Sequence, residues 1–173
     1  MTRPLRDRAA IVGIGQTEFS KNSGRSELQL ACEAVKAALD DAGLTPGDVD
    51  GMTTFTMDTS DEIELARAIG AGDLTHFSRE PYGGGAASGG VQHAVMAVAT
   101  GAAECVVVYR AFNERSGRRY STGISEGIVT ADLIHWSWYL PFGLVTPASW
   151  VAMYTQRYMH EYGCTGADLA RVA

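Results

Sequence analysis

Four things are scarce in this sequence: clustered positive charge, patterned cysteine, a signal-peptide core, and an unbroken apolar stretch long enough for a bilayer. Fourteen Lys and Arg stand against twenty Asp and Glu, a formal net charge of -6. Phosphate backbones are bound through clustered basic side chains, so nucleic acid is excluded as a partner. The one basic stretch, Arg110 to Arg119, is short and contains Glu114. The three cysteines, Cys32, Cys105 and Cys164, have neither disulfide nor metal-site spacing, which predicts reduced thiols and a cytoplasmic location. No apolar core follows Met1. The longest apolar run, Val91 to Tyr109, is broken by Gln92, His93, Gly101 and Glu104, which excludes a membrane span. His76, His93, His135 and His160 have no ligand spacing with one another or with cysteine, so no metal site is expected.

What is present is a core and a great deal of glycine: 46% of the 173 residues are hydrophobic and twenty are Gly, the composition of a soluble globular chain with a real core. The continuous apolar run Ala9 to Ile14 suits a strand covered on both faces. Ser26 and Gln29 form a capping box for a helix carrying Leu28, Ala31, Val35, Ala38 and Leu39 and stopped by Gly43. A strand is predicted over Val49 to Thr56, a helix over Asp61 to Ile69, a short strand over Leu74 to Ser78, and another strand over Glu104 to Tyr109. The alternation predicts a mostly parallel sheet with helices on both faces.

Tyr82-Gly83-Gly84-Gly85-Ala86-Ala87-Ser88-Gly89-Gly90 leads into a helix that is apolar nearly all round, so that helix is expected to be enclosed. Glycines at a helix entrance let a ligand approach the backbone, and the free N–H groups of the first turn attract negative charge. No cysteine stands at this elbow. Gly13-x-Gly15 lacks the third glycine of a dinucleotide fingerprint, and no Lys-Ser/Thr pair follows Gly83 to Gly90, so both nucleotide motifs fail.

Periodicity is lost from Ala111 to Thr146, as in a functional loop excursion or lid. Its end, Ile134 to Gly143, concentrates aromatics, among them Trp136, Trp138, Tyr139 and Phe142, which either line an apolar ligand pocket or pack a helix or a subunit interface. Thr146-Pro147 starts a helix that runs to Tyr162 and is stopped by Gly163. Thr165 and Asp168 then make a second capping box whose apolar pattern ends within two turns, as if a longer protein continued. The expected organisation is 1–110 α/β core, 111–146 lid, and 147–173 helix leading into a further half.

The order of elements, the glycine elbow, the helix end Ala99-Thr100-Gly101 and the strand after it resemble the N-terminal half of the thiolase superfamily. Phe55-Thr56-Met57-Asp58-Thr59, Tyr82 to Ala87, and Tyr109-Arg110-Ala111-Phe112-Asn113-Glu114-Arg115-Ser116-Gly117 narrow the likeness to its lipid-transfer branch, the retro-aldolases of actinobacterial steroid side-chain breakdown. The resemblance covers nearly the whole chain. It implies a five-stranded sheet with one buried central helix, a second half absent from these 173 residues, a homodimer, and a zinc-bearing DUF35/OB-fold partner.

In thiolases a cysteine at the N-terminus of the buried helix takes the acyl group. Counting back from Ala99-Thr100-Gly101 puts that position at Gly84, and a slip of a few residues puts Ser88 there instead. Glycine forms no thioester, which agrees with the aldolase branch. The resemblance therefore implies cleavage of a steroid β-hydroxyacyl-CoA to a ketone and a short acyl-CoA, with coenzyme A carried by the substrate and no cofactor bound in this chain. Backbone N–H groups around Gly83, Gly84, Gly85 and Ala86 would hold the enolate oxygen. Tyr82 is a catalytic candidate, and Ser88, Trp138 and Phe142 are candidate substrate contacts. The family's acid/base tyrosines belong to the second half. Two other classes stay open: an acyltransferase, distinguished by an acyl-enzyme, and a non-catalytic lipid or acyl-CoA carrier, distinguished by binding without cleavage.

Overall fold

The computed structural model describes residues 5–55, 60–80, 85–117, 134 and 137–172. The chain divides into two compact units, Met1–Arg118 and Arg119–Ala173.

The first unit is built on a parallel sheet of three strands: β1 (Gly51–Phe55), β2 (His76–Glu80) and β3 (Val106–Val108). Their order is β2-β1-β3, with Gly51 opposite both His76 and Val106. Helix α1 (Glu27–Ala42) precedes the sheet, α2 (Glu62–Ile69) connects β1 to β2, and α3 (Ala86–Thr100) connects β2 to β3. Capping chemistry sets their ends. The Ser26 hydroxyl accepts the Gln29 N–H at 3.1 Å, and Gly43, Gly70 and Gly101 stop the three helices with φ of 68°, 78° and 74°, a region that costs glycine nothing.

Alternation along β1 sends neighbouring side chains to opposite faces. Met52, fully buried, joins Leu30, Ala31, Val35, Leu39, Leu65, Ala66 and Tyr109 in the cluster formed with α1 and α2. Thr53 turns to the other face, where its methyl lies 3.3 Å from where a Cβ on Gly90 of α3 would be. On β2, Arg79 reaches Asp61 and Glu62 at the start of α2, whereas Ser78 and Glu80 face His93 of α3. Helices thus cover both faces. Asp50 ties the strand starts together: its carboxylate accepts the Glu104 and Cys105 N–H groups at 2.8–3.0 Å, and its carbonyl accepts Thr75 N–H at 2.7 Å.

The structure corrects three expectations. The sheet has three strands among the described residues, not five. Residues 9–14 form no strand: Ile11, Val12 and Ile14 are 77%, 64% and 77% exposed. The Ile14 N–H goes to the Asp41 carboxylate at 3.0 Å instead of to a neighbouring strand, and Gly13 and Gly15 lie so close to α1 that a Cβ on either would stand 2.2 Å from a carbonyl oxygen, Ala38 or Ala34. An apolar run suits a strand only where a partner ladder exists, and none lies beside this one among the described residues. Helix α3 is also not enclosed: only Gly90 and Ala97 are buried, because the sheet covers one side and no described element of this unit covers the other.

The second unit contains a 3₁₀ turn at Leu140–Phe142, α4 (Pro147–Tyr162) and α5 (Gly166–Ala170). Helix α4 begins with Pro147 after Thr146 and stops at Gly163, with φ 66°, as the sequence predicts. The Thr165–Asp168 capping box is formed in both directions, and its hydrogen bonds hold the Asp168 carboxyl below the usual carboxylate range. Tyr139 packs edge-on against Trp150 at a centroid distance of 5.4 Å. No helix of the described residues is long and apolar enough to cross a membrane.

Candidate functional site

The elbow is built at the carboxyl end of β2, where ligands commonly bind in parallel α/β sheets. Gly85 occupies the N-cap position of α3 and supplies no capping side chain. The first helical hydrogen bond runs from the Gly89 N–H to the Gly85 carbonyl at 2.9 Å. The N–H groups of Ala86, Ala87 and Ser88 therefore have no acceptor within the helix. Gly85, Ala87 and Ser88 are exposed and Ala86 is half-buried. Three N–H donors at the positive end of a helix of 15 residues, with no acidic residue in the first turn, can take an anion or an oxygen on which charge develops.

Of the residues singled out from sequence, Gly85, Ala86 and Ser88 are thus brought together on the first turn. Tyr82, Gly83 and Gly84 lie outside the described residues, as do His135 and Trp136. In the second unit Trp138 and Phe142 are 75% and 79% exposed, so neither is consumed in packing that unit.

Ser88 carries the only nucleophilic side chain of the first turn, Gly85–Ser88. Cys32 lies on α1 and Cys105 just before β3, both half-buried, and Cys164 follows α4. Burial pushes the Cys32 and Cys105 thiols up from their ordinary value, which leaves less thiolate at neutral pH and weakens both as nucleophiles. Iodoacetamide at mildly alkaline pH is therefore expected to label these two cysteines several-fold more slowly in the folded chain than in urea. Peptide mass spectrometry reads the difference, and equal rates in both conditions would contradict it.

Three features escaped the sequence reading. Arg79 is the first: its guanidinium grips the Glu62 carboxylate through Nε and Nη2 at 2.7–3.2 Å. The Glu62 hydrogen bonds raise the Arg79 pKa further. This pair fastens the start of α2 to β2.

The second is a cavity of about 460 Å³ beyond the carboxyl end of β3, lined by Gly15, Thr17, Phe19, Arg110, Phe112 and Asn113 among others. The Arg110 guanidinium lies over the Phe55 and Phe112 rings at 4.9 and 5.4 Å. Asn113 locks this loop to the start of α1: its side-chain NH₂ donates to the Arg25 carbonyl at 2.8 Å, its Oδ1 accepts the Ser23 hydroxyl at 2.8 Å, and its backbone N–H donates to Glu27 at 3.1 Å. The Tyr109–Gly117 motif was legible, but not this use of Asn113. The third feature is the contact of Glu80 with His93. Among the described residues no group of three or more His, Cys, Asp or Glu side chains is placed to hold a metal ion.

No protein-family model matches the chain. Among curated proteins it is 66% identical over 170 residues to a steroid side-chain-cleaving aldolase of Thermomonospora curvata. The alignment takes in 95% of this chain and 43% of that protein. This chain is a homologue of the thiolase-like steroid side-chain-cleaving aldolases. It is also 59% identical over 172 residues to a 17-hydroxy-3-oxo-4-pregnene-20-carboxyl-CoA lyase of Mycobacterium tuberculosis, covering 98% of the chain and 44% of the lyase. Among solved structures, an Ltp2-ChsH2(DUF35) aldolase matches 90% of the chain and 39% of its own with 67% identity and a TM-score of 0.71. A monomeric SCP2-thiolase-like protein of Mycobacterium smegmatis matches 62% of the chain and 24% of its own with 29% identity and a TM-score of 0.51. The chain thus spans less than half the length of these relatives.

Proposed function

We propose that this chain supplies the elbow half of a retro-aldolase that cleaves a steroid β-hydroxyacyl-CoA to a ketone and a short acyl-CoA. The observation that carries the proposal is the first turn of α3, which has no side-chain cap, no thiol and, among the described residues, no acceptor for its N–H groups, in a chain 66% and 59% identical to an aldolase and a lyase.

In the reaction a base takes the proton of the β-hydroxyl, and the alkoxide collapses to the ketone. The bond between the α and β carbons breaks, its electron pair passing to the thioester as an enolate. Protonation at the α carbon then releases the acyl-CoA. The N–H groups of Ala86, Ala87 and Ser88 serve the enolate oxygen, where preorganised donors are most effective. By the sequence count Gly84 takes the place of a thiolase's nucleophile, and glycine has no side chain to oppose a tertiary alcohol on a ring. Tyr82 lies beside the elbow in sequence as a candidate proton carrier, and the remaining acid/base groups belong to a second half outside this chain. Trp138 and Phe142 offer apolar surface to the sterol, supported by their exposure within their own unit.

The partner is a DUF35 protein, supported by the Ltp2-ChsH2(DUF35) aldolase; that it carries zinc on an OB fold is what the family resemblance implies. A homodimer through β2 is supported by its position at the sheet edge and by Phe77, 66% exposed there. A location in the cytoplasm is supported by three free cysteines.

The alternative is acyl transfer. It is favoured by the exposed Ser88 and by 31% identity over 174 residues to an acetyl-CoA acetyltransferase of Methanocaldococcus jannaschii, of which the chain covers 42%. The deciding experiment supplies a tertiary steroid β-hydroxyacyl-CoA to the full-length protein with its DUF35 partner and follows products and intact protein by mass spectrometry. Ketone and short acyl-CoA with no adduct are expected. An acyl adduct on Ser88 would replace the aldolase by the acyltransferase, and bound but uncleaved substrate would replace it by a carrier.

A further inference from the structure

Ser78 and Glu80 are the β2 residues that meet α3 beside the elbow. Glu80 is the last residue of the strand, and its side chain is only 13% exposed. The carboxylate lies against the first turns of α3: a Cβ added to Gly89 would stand 2.8 Å from Oε2. Oε1 is 2.6 Å from Nδ1 of His93, yet it lies off the direction of any ring N–H. Among the described residues this buried oxygen has no aligned hydrogen-bond donor. His93 Nδ1 is also 3.3 Å from the Ser78 hydroxyl, which is 3.0 Å from that of Thr53.

The charges around this contact are few. His93 is the only ionisable side chain on α3, and β1 and β3 carry none. Arg79, the next residue of β2, is directed to Asp61 and Glu62 on the opposite face. Among the described residues, the ionisable side chains on the α3 face of the sheet are therefore Glu80, the one carboxylate, with His93 against it, and His76 at the far end of β2. The carboxylate sits beside the first turn, and its negative charge opposes that of any anion the turn is to hold. An opposite charge against it removes the opposition.

We propose that His93 is a positioning residue that acts through Glu80, balancing the buried carboxylate so that the first turn of α3 keeps its affinity for the developing enolate. Glu80 in turn occupies the space left by Gly89 and fixes the approach of β2 to the helix. The inference rests on the aldolase reading and adds to it a pair of residues that do not touch the substrate.

The test is a cycle of variants in the full-length protein with its DUF35 partner, each compared at equal concentration of folded enzyme. His93→Gln leaves the carboxylate uncompensated and is expected to lower kcat about tenfold with KM within about twofold, the signature of an interaction felt only in the transition state. Glu80→Gln removes the charge and is expected to change kcat by less than about threefold. The double variant is expected to return to the level of Glu80→Gln, which loss of packing alone would not produce. His93→Lys places a fixed positive charge against the carboxylate and is expected to keep most of kcat. A silent His93→Gln, or a double variant no better than it, overturns the proposal.

The urea midpoints of the same variants supply a readout independent of turnover: His93→Gln is expected to be less stable than the double variant. If the unmodified enzyme cleaves nothing, the aldolase reading fails together with the effect on kcat. Non-additive midpoints would then still establish the charge pair, and additive ones would remove it.

Discussion

Replacing Gly90 by leucine is expected to lower turnover in the proposed aldolase reaction of the full-length protein about a hundredfold, the scale on which a displacement of about 1 Å at a reacting centre acts. Gly90 is buried one turn inside α3 and faces β1 and β3 of the sheet. A Cβ there would lie 3.3 Å from the Thr53 methyl and 3.4 Å from a Val108 methyl. Alanine is accommodated by a shift of a few tenths of an ångström and regains helix propensity worth about 0.5–1 kcal/mol, so Gly90→Ala is expected to leave both stability and turnover nearly unchanged. Leucine places three further carbons where β1 and β3 already stand. The helix must then lift, at about 1–3 kcal/mol, and it carries Ala86, Ala87 and Ser88 with it. Steady-state kinetics of the two variants decide the matter. If Gly90→Leu turns over like Gly90→Ala, the placement of the first turn is not what the reaction depends on.

Leu65→Ala is the substitution expected to cost most stability, about 3 kcal/mol. Leu65 is fully buried on α2 and belongs to the cluster that joins α1, α2 and β1 through Leu39, Val49 and Met52. The contact is held from the polar side too, by Arg79 on Glu62 one turn earlier, so the helix cannot readily collapse into the space that alanine leaves. Ile63, two residues away and 63% exposed, is the control: Ile63→Ala is expected to stay within about 0.5 kcal/mol. Urea unfolding followed by circular dichroism measures both, and similar midpoints for the two variants would show that the α1–α2 face is not where stability is concentrated.

Helix ends were legible because capping is decided within a few residues. Ser26 and Gly43, Thr146-Pro147 and Gly163, and Thr165 with Asp168 all act where the sequence puts them. Strands were less so, because a strand is defined by a neighbour. Leu74 to Ser78 became His76–Glu80 once Thr75 turned its N–H to the Asp50 carbonyl. Residues 9–14, apolar enough for a central strand, lie on α1 with their side chains outward. The glycine elbow and its want of a thiol could be read directly, because the absence of a side chain needs no fold to reveal it.

What the sequence determined by itself was therefore local: where helices start and stop, which segment is built for close backbone approach, and which nucleophile is absent from it. The tertiary structure decided the pairings across 15 to 90 residues of chain, such as His93 with Ser78, Asp50 with Cys105 and Asn113 with Ser23. It also decided which polar groups have no aligned partner among the described residues, the Glu80 oxygen and the first N–H groups of α3. Short-range hydrogen bonds and steric preferences are written into neighbouring residues, whereas burial and charge balance depend on what the fold brings alongside.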